Sequence, residues 1–255
     1  MLFSPDITCH SPAFILSELR IDITRGNTEP IPVALVKLQT KSETENKISL
    51  DIKNVISNNL QRSGLFTMLP KSVFLTETLN FDSKPSFSDW KITTAQGLIH
   101  GNLSVSGEKL NIKFRLWDVF SEKQMVAQQL PTETNNWRRI AHVISDIIYK
   151  RITGESGYFD SRIVYISESG PKNNRKKRLA IVDQDGENHK FLTDGSYLVL
   201  TPRFSPAAQE VAYLSYNNTI PRIFLLDLNT GLQKILGDFP GMTFSPRYSP
   251  DGKKL

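Results

Sequence analysis

The nearest approach to a catalytic nucleophile is Gly154-Glu155-Ser156-Gly157-Tyr158. A hydrolase elbow needs G-x-S-x-G, with a strand before it that thrusts the serine out of a sharp turn. Here the second glycine directly follows the serine and a helical pattern precedes it. The segment therefore reads as a helix-to-linker turn, and no catalytic residue is assigned. His10, His100, His142 and His189 are widely scattered, with no i,i+4 pair or nearby carboxylate at ligand spacing, so ordinary core or surface roles are expected and no metal site. Asp183-Gln184-Asp185-Gly186 resembles the start of a calcium loop, but the distal glutamate is absent, and a strand-connecting turn is expected. Cys9 is the single cysteine, which excludes an intrachain disulfide and a cysteine-cluster metal site. There is neither a phosphate-binding loop nor a G-x-G-x-x-G, and no cofactor is expected.

Two groups of cations remain. Lys172, Arg175, Lys176, Lys177 and Arg178 lie in a Pro/Asn-rich stretch without interleaved aromatics for base stacking. A solvated loop between two strands is expected, and no nucleic acid partner. Arg203 and Arg247 occupy equivalent places in a repeated motif described below. They make either a repeated structural contact at a blade boundary or a pair near a central opening, where guanidinium groups meet a partner's carboxylates.

The elements that carry these residues fall into two regions. In residues 19–154, Leu19, Ile21 and Ile23 alternate with polar residues as a half-buried strand does, and Ile31–Leu38 forms a second apolar run. Ile48, Ile52, Val55, Ile56 and Leu60 recur at helical spacing and stop at Ser63-Gly64. Leu98–Leu130 changes to period two, with turns at Ser106-Gly107 and Ser121-Lys123, which predicts a three-stranded antiparallel meander with one wet face. Trp137, Ile140, Ala141, Ile144, Ile147 and Ile148 then return to helical spacing, with Asn135 or Asn136 available as N-cap and Gly154 as the stop. The expected fold is an α/β domain, a small mixed sheet with helices on one face. Trp90, Trp117 and Trp137 are expected in its core or at a domain interface.

Residues 155–161 are expected to be a linker. Over 162–255 the helices vanish, and short strands alternate with Asp/Asn/Gly turns at 162–169, 178–183, 189–193, 211–216, 222–227 and 232–236. Thr201-Pro202-Arg203-Phe204-Ser205-Pro206 returns 44 residues later as Ser245-Pro246-Arg247-Tyr248-Ser249-Pro250, and Asp183 returns as Asp227. A period near 40–45 with about four strands per unit is the mark of a β-propeller. By this register Leu255 corresponds to Val211, so an incomplete all-β propeller of about two blades is expected, from a truncated or split chain or one completed by another polypeptide.

Totals agree with a globular protein: 39% hydrophobic and 22% charged residues, with a net charge of +5 that permits acidic partners without naming one. No run approaches the roughly 18 apolar residues of a spanning helix, so no transmembrane segment is expected. Residues 1–18 lack any Lys or Arg and have only Ala13–Leu16 as an apolar run. They read as a damaged signal remnant or a disordered start.

The motif T/S-P-R-[FY]-S-P with Asp251-Gly252-Lys253-Lys254 resembles the propeller repeats of the TolB family. LRIDI (19–23), EPIPVALVKL (29–38), NNLQRSGLF (58–66), the run from Asn136 to Ser167, and GDFPG (237–241) are also similar to that family. The resemblance implies an N-terminal α/β domain before a six-bladed propeller, in a non-enzymatic periplasmic protein of Gram-negative bacteria. It further implies a scaffold of the Tol–Pal system, supporting outer-membrane integrity and envelope constriction at cell division. In the family the propeller binds the lipoprotein Pal and the N-terminal segment communicates with TolA. Carried onto this chain, it suggests Leu19, Arg20, Ile21, Asp22, Ile23, Arg203 and Arg247 as partner-binding residues. The alternative is the propeller portion of a split prolyl-oligopeptidase-type serine peptidase.

Overall fold

In a computed structural model, the structure is described for residue 19 and for residues 29–76, 78–217, 220–237 and 244–255. The chain divides into two compact units that part between Phe159 and Asp160.

In the first unit the order is β1 (Ile31–Leu35), α1 (Glu43–Arg62), β2 (Phe66–Met68), α2 (Phe87–Ile92), β3 (Gly97–Ser106), β4 (Lys109–Asp118), β5 (Lys123–Glu133) and α3 (Trp137–Thr153). The sheet order is β2-β1-β3-β4-β5, with β1 parallel to both neighbours and the rest antiparallel. The period-two stretch is thus the expected meander, and the apolar run at Ile31 is the inner parallel strand. Parallel neighbours need a crossover, and α1 supplies the one between β1 and β2.

Alternation along the strands sends two sets of side chains to opposite faces. Ile99 and Leu103 of β3, and Leu110, Ile112, Phe114 and Leu116 of β4, pack under α1 and α3 with Ile52, Ile56, Ile144 and Ile148. Burying each such side chain contributes roughly 1.5–3 kcal/mol. The two long helices share that face, as the periodicity predicts. The other face has its own smaller core, Ala34, Leu98 and Trp117 with Phe87 and Trp90 of α2, a helix of six residues that the sequence reading passed over.

Both long helices end by recognisable chemistry. Ser42 caps α1 in a capping box with Glu45, and Gly154 closes α3 at φ 82°, which only glycine adopts without strain. Asn136 stands at the N-cap of α3 but makes no side-chain cap, because residues 134–136 form a turn of 3-10 helix that already directs the chain. Residues 157–159 lie on α3, where Phe159 is fully buried and its N–H donates to Asp146 Oδ1 at 2.7 Å. A Cβ at Gly157 would collide with that same oxygen, so the close approach requires glycine.

The second unit contains only strands: β6 (Arg162–Ser169), β7 (Lys176–Asp183), β8 (Lys190–Phe191), β9 (Val199–Phe204), β10 (Glu210–Asn217), β11 (Ile220–Asp227) and β12 (Gln233–Ile235). They form a three-stranded sheet β6-β7-β8 and a four-stranded sheet β12-β11-β10-β9, as expected of part of a propeller. Leu179, Val199, Val211, Tyr213 and Leu226 form their core. Asp183–Gly186 is a turn, with Gly186 N–H donating to Asp183 O at 2.9 Å.

One expectation about charge is overturned. Lys176 and Lys177 are not in a loop but in β7, which starts two residues before the strand expected at 178–183, and with Arg178 they pair with Ser169, Glu168 and Ser167. Backbone pairing is indifferent to side-chain charge when the charge has a partner. Here Glu168 lies 3.9 Å from Lys177, and the Arg178 guanidinium stacks 3.5 Å from the Phe191 ring.

Candidate functional site

Leu19 opens the predicted partner-binding segment, and its anchorage is visible. Its N–H donates to Asp118 Oδ2 at 2.9 Å, and its side chain packs on the larger core of the first unit. The other oxygen of Asp118 accepts from the N–H groups of Phe120 and Ser121 at 3.0 and 3.1 Å. One buried carboxylate at the end of β4 thus ties both the β4–β5 turn and the start of this segment. Arg20, Ile21, Asp22 and Ile23 lie outside the described residues. Sequence reasoning missed Asp118, although an Asp followed by turn residues at a strand end is a readable signal.

The two arginines of the repeat have different surroundings. Arg203 sits half-buried in β9, opposite Ala212, with its Nη1 donating to Pro202 O at 2.9 Å. Arg247 is exposed and lies outside any strand. The repeat itself is written in the backbone. Thr201 and Ser245 both hold left-handed φ, 47° and 49°, ahead of their prolines. For β-branched threonine that conformation is uncommon and costs about 1–2 kcal/mol. Ser205 N–H donates to Glu210 O and Ser249 N–H to Lys254 O, both at 2.9 Å and both five residues on. Tyr248 OH donates to Glu210 Oε1 at 2.9 Å, and burial followed by that bond pushes the phenol pKa upward. The motif is therefore a turn-forming device first, with an arginine two residues ahead of each turn in the sequence.

His142 and His189 have structural settings. His142 Nδ1 lies 2.9 Å from Asn59 Nδ2, which also donates to Ser145 Oγ at 3.0 Å, in a buried polar group between α1 and α3. His189 contacts the rings of Tyr165 and Phe191.

His100 is different, because it begins a polar stripe on the face of the first sheet away from α1 and α3. Register pairs His100 with Arg115, Asn102 with Lys113 and Ser104 with Asn111. Trp117 Nε1 donates to His100 Nε2 at 3.0 Å, so the neutral ring carries its proton on Nδ1. Burial, and then the charge of Arg115, push the His100 pKa down to about 4, which keeps the ring neutral at pH 7. Phe81 covers this end, its ring 6.1 Å from His100 and 4.5 Å from the Arg115 guanidinium. Beyond it opens a cleft of about 460 Å³, lined by the amides of Gln39, Asn80, Asn102 and Asn111 and by Lys41 and Lys113.

Comparison with known proteins matches both units. The model of the TolB amino-terminal domain matches residues 19–125, and that of the TolB beta propeller domain matches residues 149–255. The Tol-Pal system protein TolB of Paramagnetospirillum magneticum is 51% identical over 229 residues, covering 89% of this chain and 51% of that protein. Its counterpart in Pelagibacter ubique is 52% identical over 242 residues, covering 91% and 54%. The crystal structure of TolB from Acinetobacter baumannii superposes with a TM-score of 0.73 at 26% identity, over 92% of this chain and 56% of that one. The chain thus spans about half the length of the curated relatives it matches. With both domain models matched in order and half of the aligned residues identical, the chain belongs to the TolB family.

Proposed function

We propose that this chain acts as a non-catalytic, protein-binding component of the Tol–Pal system of the bacterial envelope. The observation that carries the reading is that about half the aligned residues, over some nine-tenths of the chain, are identical to those of two Tol-Pal system proteins. A periplasmic location goes with that reading. Among the described residues no helix is long and apolar enough to cross a membrane.

Two surfaces divide the work. The propeller unit binds Pal, with Arg203 and Arg247 offering guanidinium groups to its carboxylates beside the repeated turns. The segment from Leu19 to Ile23 engages a TolA-like protein by adding an extended strand to a partner sheet, and the Asp118 anchor fixes the point from which it departs. Envelope constriction and outer-membrane integrity follow from linking the two partners. The relatives support a Tol–Pal component and not the peptidase alternative.

Immobilised Pal is expected to retain the chain, and the double variant R203E/R247E to lower retention at least tenfold. A TolA-like partner is expected to lose binding when residues 19–23 are deleted, with Pal binding unchanged. Failure of Pal at micromolar concentration to retain the chain removes the Pal assignment.

A further inference from the structure

We propose that the cleft on the polar face of the first sheet binds a carboxylate carried on a body rich in hydroxyl or amide groups.

Buried polar atoms normally have partners, and each exception calls for a reason. Three exceptions fall on this one stripe: His100 Nδ1, Arg115 Nε and Asn111 Oδ1 are buried without a hydrogen-bond partner among the described residues. His100 is fully buried. Leaving such a group unpaired costs about 1–3 kcal/mol, which a purely structural stripe gains nothing by retaining.

The chemistry of the lining then selects the ligand. Lys113 and Lys41 line the cleft and Arg115, two residues from Lys113 on β4, pairs with His100, so the electrostatics favour an anion. Asp82 stands on the same wall and opposes a dianion such as phosphate, which leaves a singly charged carboxylate as the better fit. Asn80 Oδ1 already accepts from Asp82 N–H at 2.9 Å, but its NH2 and the amides of Gln39, Asn102 and Asn111 suit a ligand with hydroxyls or amides of its own. The volume, about 460 Å³, accommodates a sugar acid or the last few residues of a peptide. Phe81 separates the cleft from His100 and Arg115, and its neighbours Asn80 and Asp82 form part of the wall. The Phe81 ring therefore limits how deep the carboxylate reaches.

The test uses the full chain, ¹⁵N-labelled, titrated with glucuronate and separately with tri-alanine bearing a free C-terminus. Glucose and tri-alanine amide serve as neutral counterparts. The expected result is saturable shifts at the side-chain amides of Asn102 and Asn111 with at least one acid, and at least fivefold weaker shifts with its neutral counterpart. Response to glucuronate alone names a sugar acid, and response to the peptide alone names a peptide C-terminus. Lys113→Gln is expected to weaken binding about tenfold, as loss of a charge-assisted bond does, whereas Lys109→Gln, on the same strand outside the cleft, leaves it unchanged. Phe81→Ala is expected to tighten binding and to bring the Arg115 Nε–H resonance into the response. Absence of shifts with both acids at 20 mM, equal shifts with the neutral compounds, or equal effects of the two lysine variants overturns the proposal. These readouts involve neither Pal nor a TolA-like protein, so their outcome is independent of the proposed function.

Discussion

Glu45 accepts three backbone N–H bonds, as Asp118 does, and the cost of its removal follows from them. Its Oε2 accepts from the N–H groups of Lys41 at 2.7 Å and Ser42 at 3.1 Å, and its Oε1 accepts from Val105 N–H at 2.9 Å. One side chain thus holds the entry to α1 and the far end of β3. In Glu45→Ala the Lys41 and Ser42 amides are exposed enough for water to replace the carboxylate, so the loss there is near the usual cap value of about 1 kcal/mol. The Val105 amide is half-buried, and losing a charged acceptor adds about 1.5 kcal/mol. The sum is about 2–3 kcal/mol, or a fall of about 6–12 °C in the midpoint of the first unit. Those backbone bonds hold the Glu45 pKa below its ordinary 4.5. A carboxylate depressed in the folded state contributes stability that is present above the unfolded value and lost as pH falls through the folded one. The gap between the parent chain and Glu45→Ala is therefore widest near neutral pH and closes as pH falls below about 4.5. Urea titrations followed by tryptophan fluorescence at pH 7, 5, 4 and 3 measure it, because Trp90, Trp117 and Trp137 all belong to the first unit. Glu45→Gln keeps one acceptor without the charge and should give an intermediate loss with little pH dependence. A loss under 0.5 kcal/mol at pH 7, or a gap that stays constant down to pH 3, would refute the reasoning.

Asp118→Ala leaves the Leu19, Phe120 and Ser121 amides without their acceptor, and should cost about 2–3 kcal/mol and speed amide exchange at those three positions. Ile148→Ala removes a side chain buried completely between α3 and the sheet, for an expected loss of about 2–5 kcal/mol in urea titration. Ile92→Ala, at a side chain 77% exposed, should stay within about 0.5 kcal/mol. Thr201→Gly relieves the left-handed φ of 47° and should slow amide exchange in β9 and β10, whereas Leu200→Gly in the same strand should hasten it.

The periodic elements were legible because they are short-range facts. Ile48 to Leu60 and Trp137 to Ile148 lie at helical spacing, and Leu110 to Leu116 alternate, so helix and strand follow from which positions can share one face. The repeat of 44 residues was legible for a similar reason, since a turn such as Ser205 to Glu210 is closed by bonds five residues long. Strand β9 was harder to read because Thr201 and Pro202 argue against extended pairing. It exists as an edge strand, where the missing proline N–H deprives no neighbour. Residues 245–248 repeat its sequence without forming a strand, since no described residue supplies them with the partner that β10 gives to β9.

The candidate site was less legible than the fold. The TolB-like phrases and the repeated Arg203 and Arg247 are patterns within the sequence, and they could be named from it. Asp118 and Leu19 stand 99 positions apart and meet only because β3, β4 and β5 fold back on one another. The stripe from His100 to Asn111 likewise depends on the register of β3 against β4, which pairs His100 with Arg115 and sends both under Phe81. Read singly, those residues look like the wet face of a meander. Sequence determined what each segment prefers to be, because preference arises within a few residues of backbone. Only the tertiary structure decided which distant polar groups became neighbours and which were left buried without partners, because that depends on strand register and on what packs over each face.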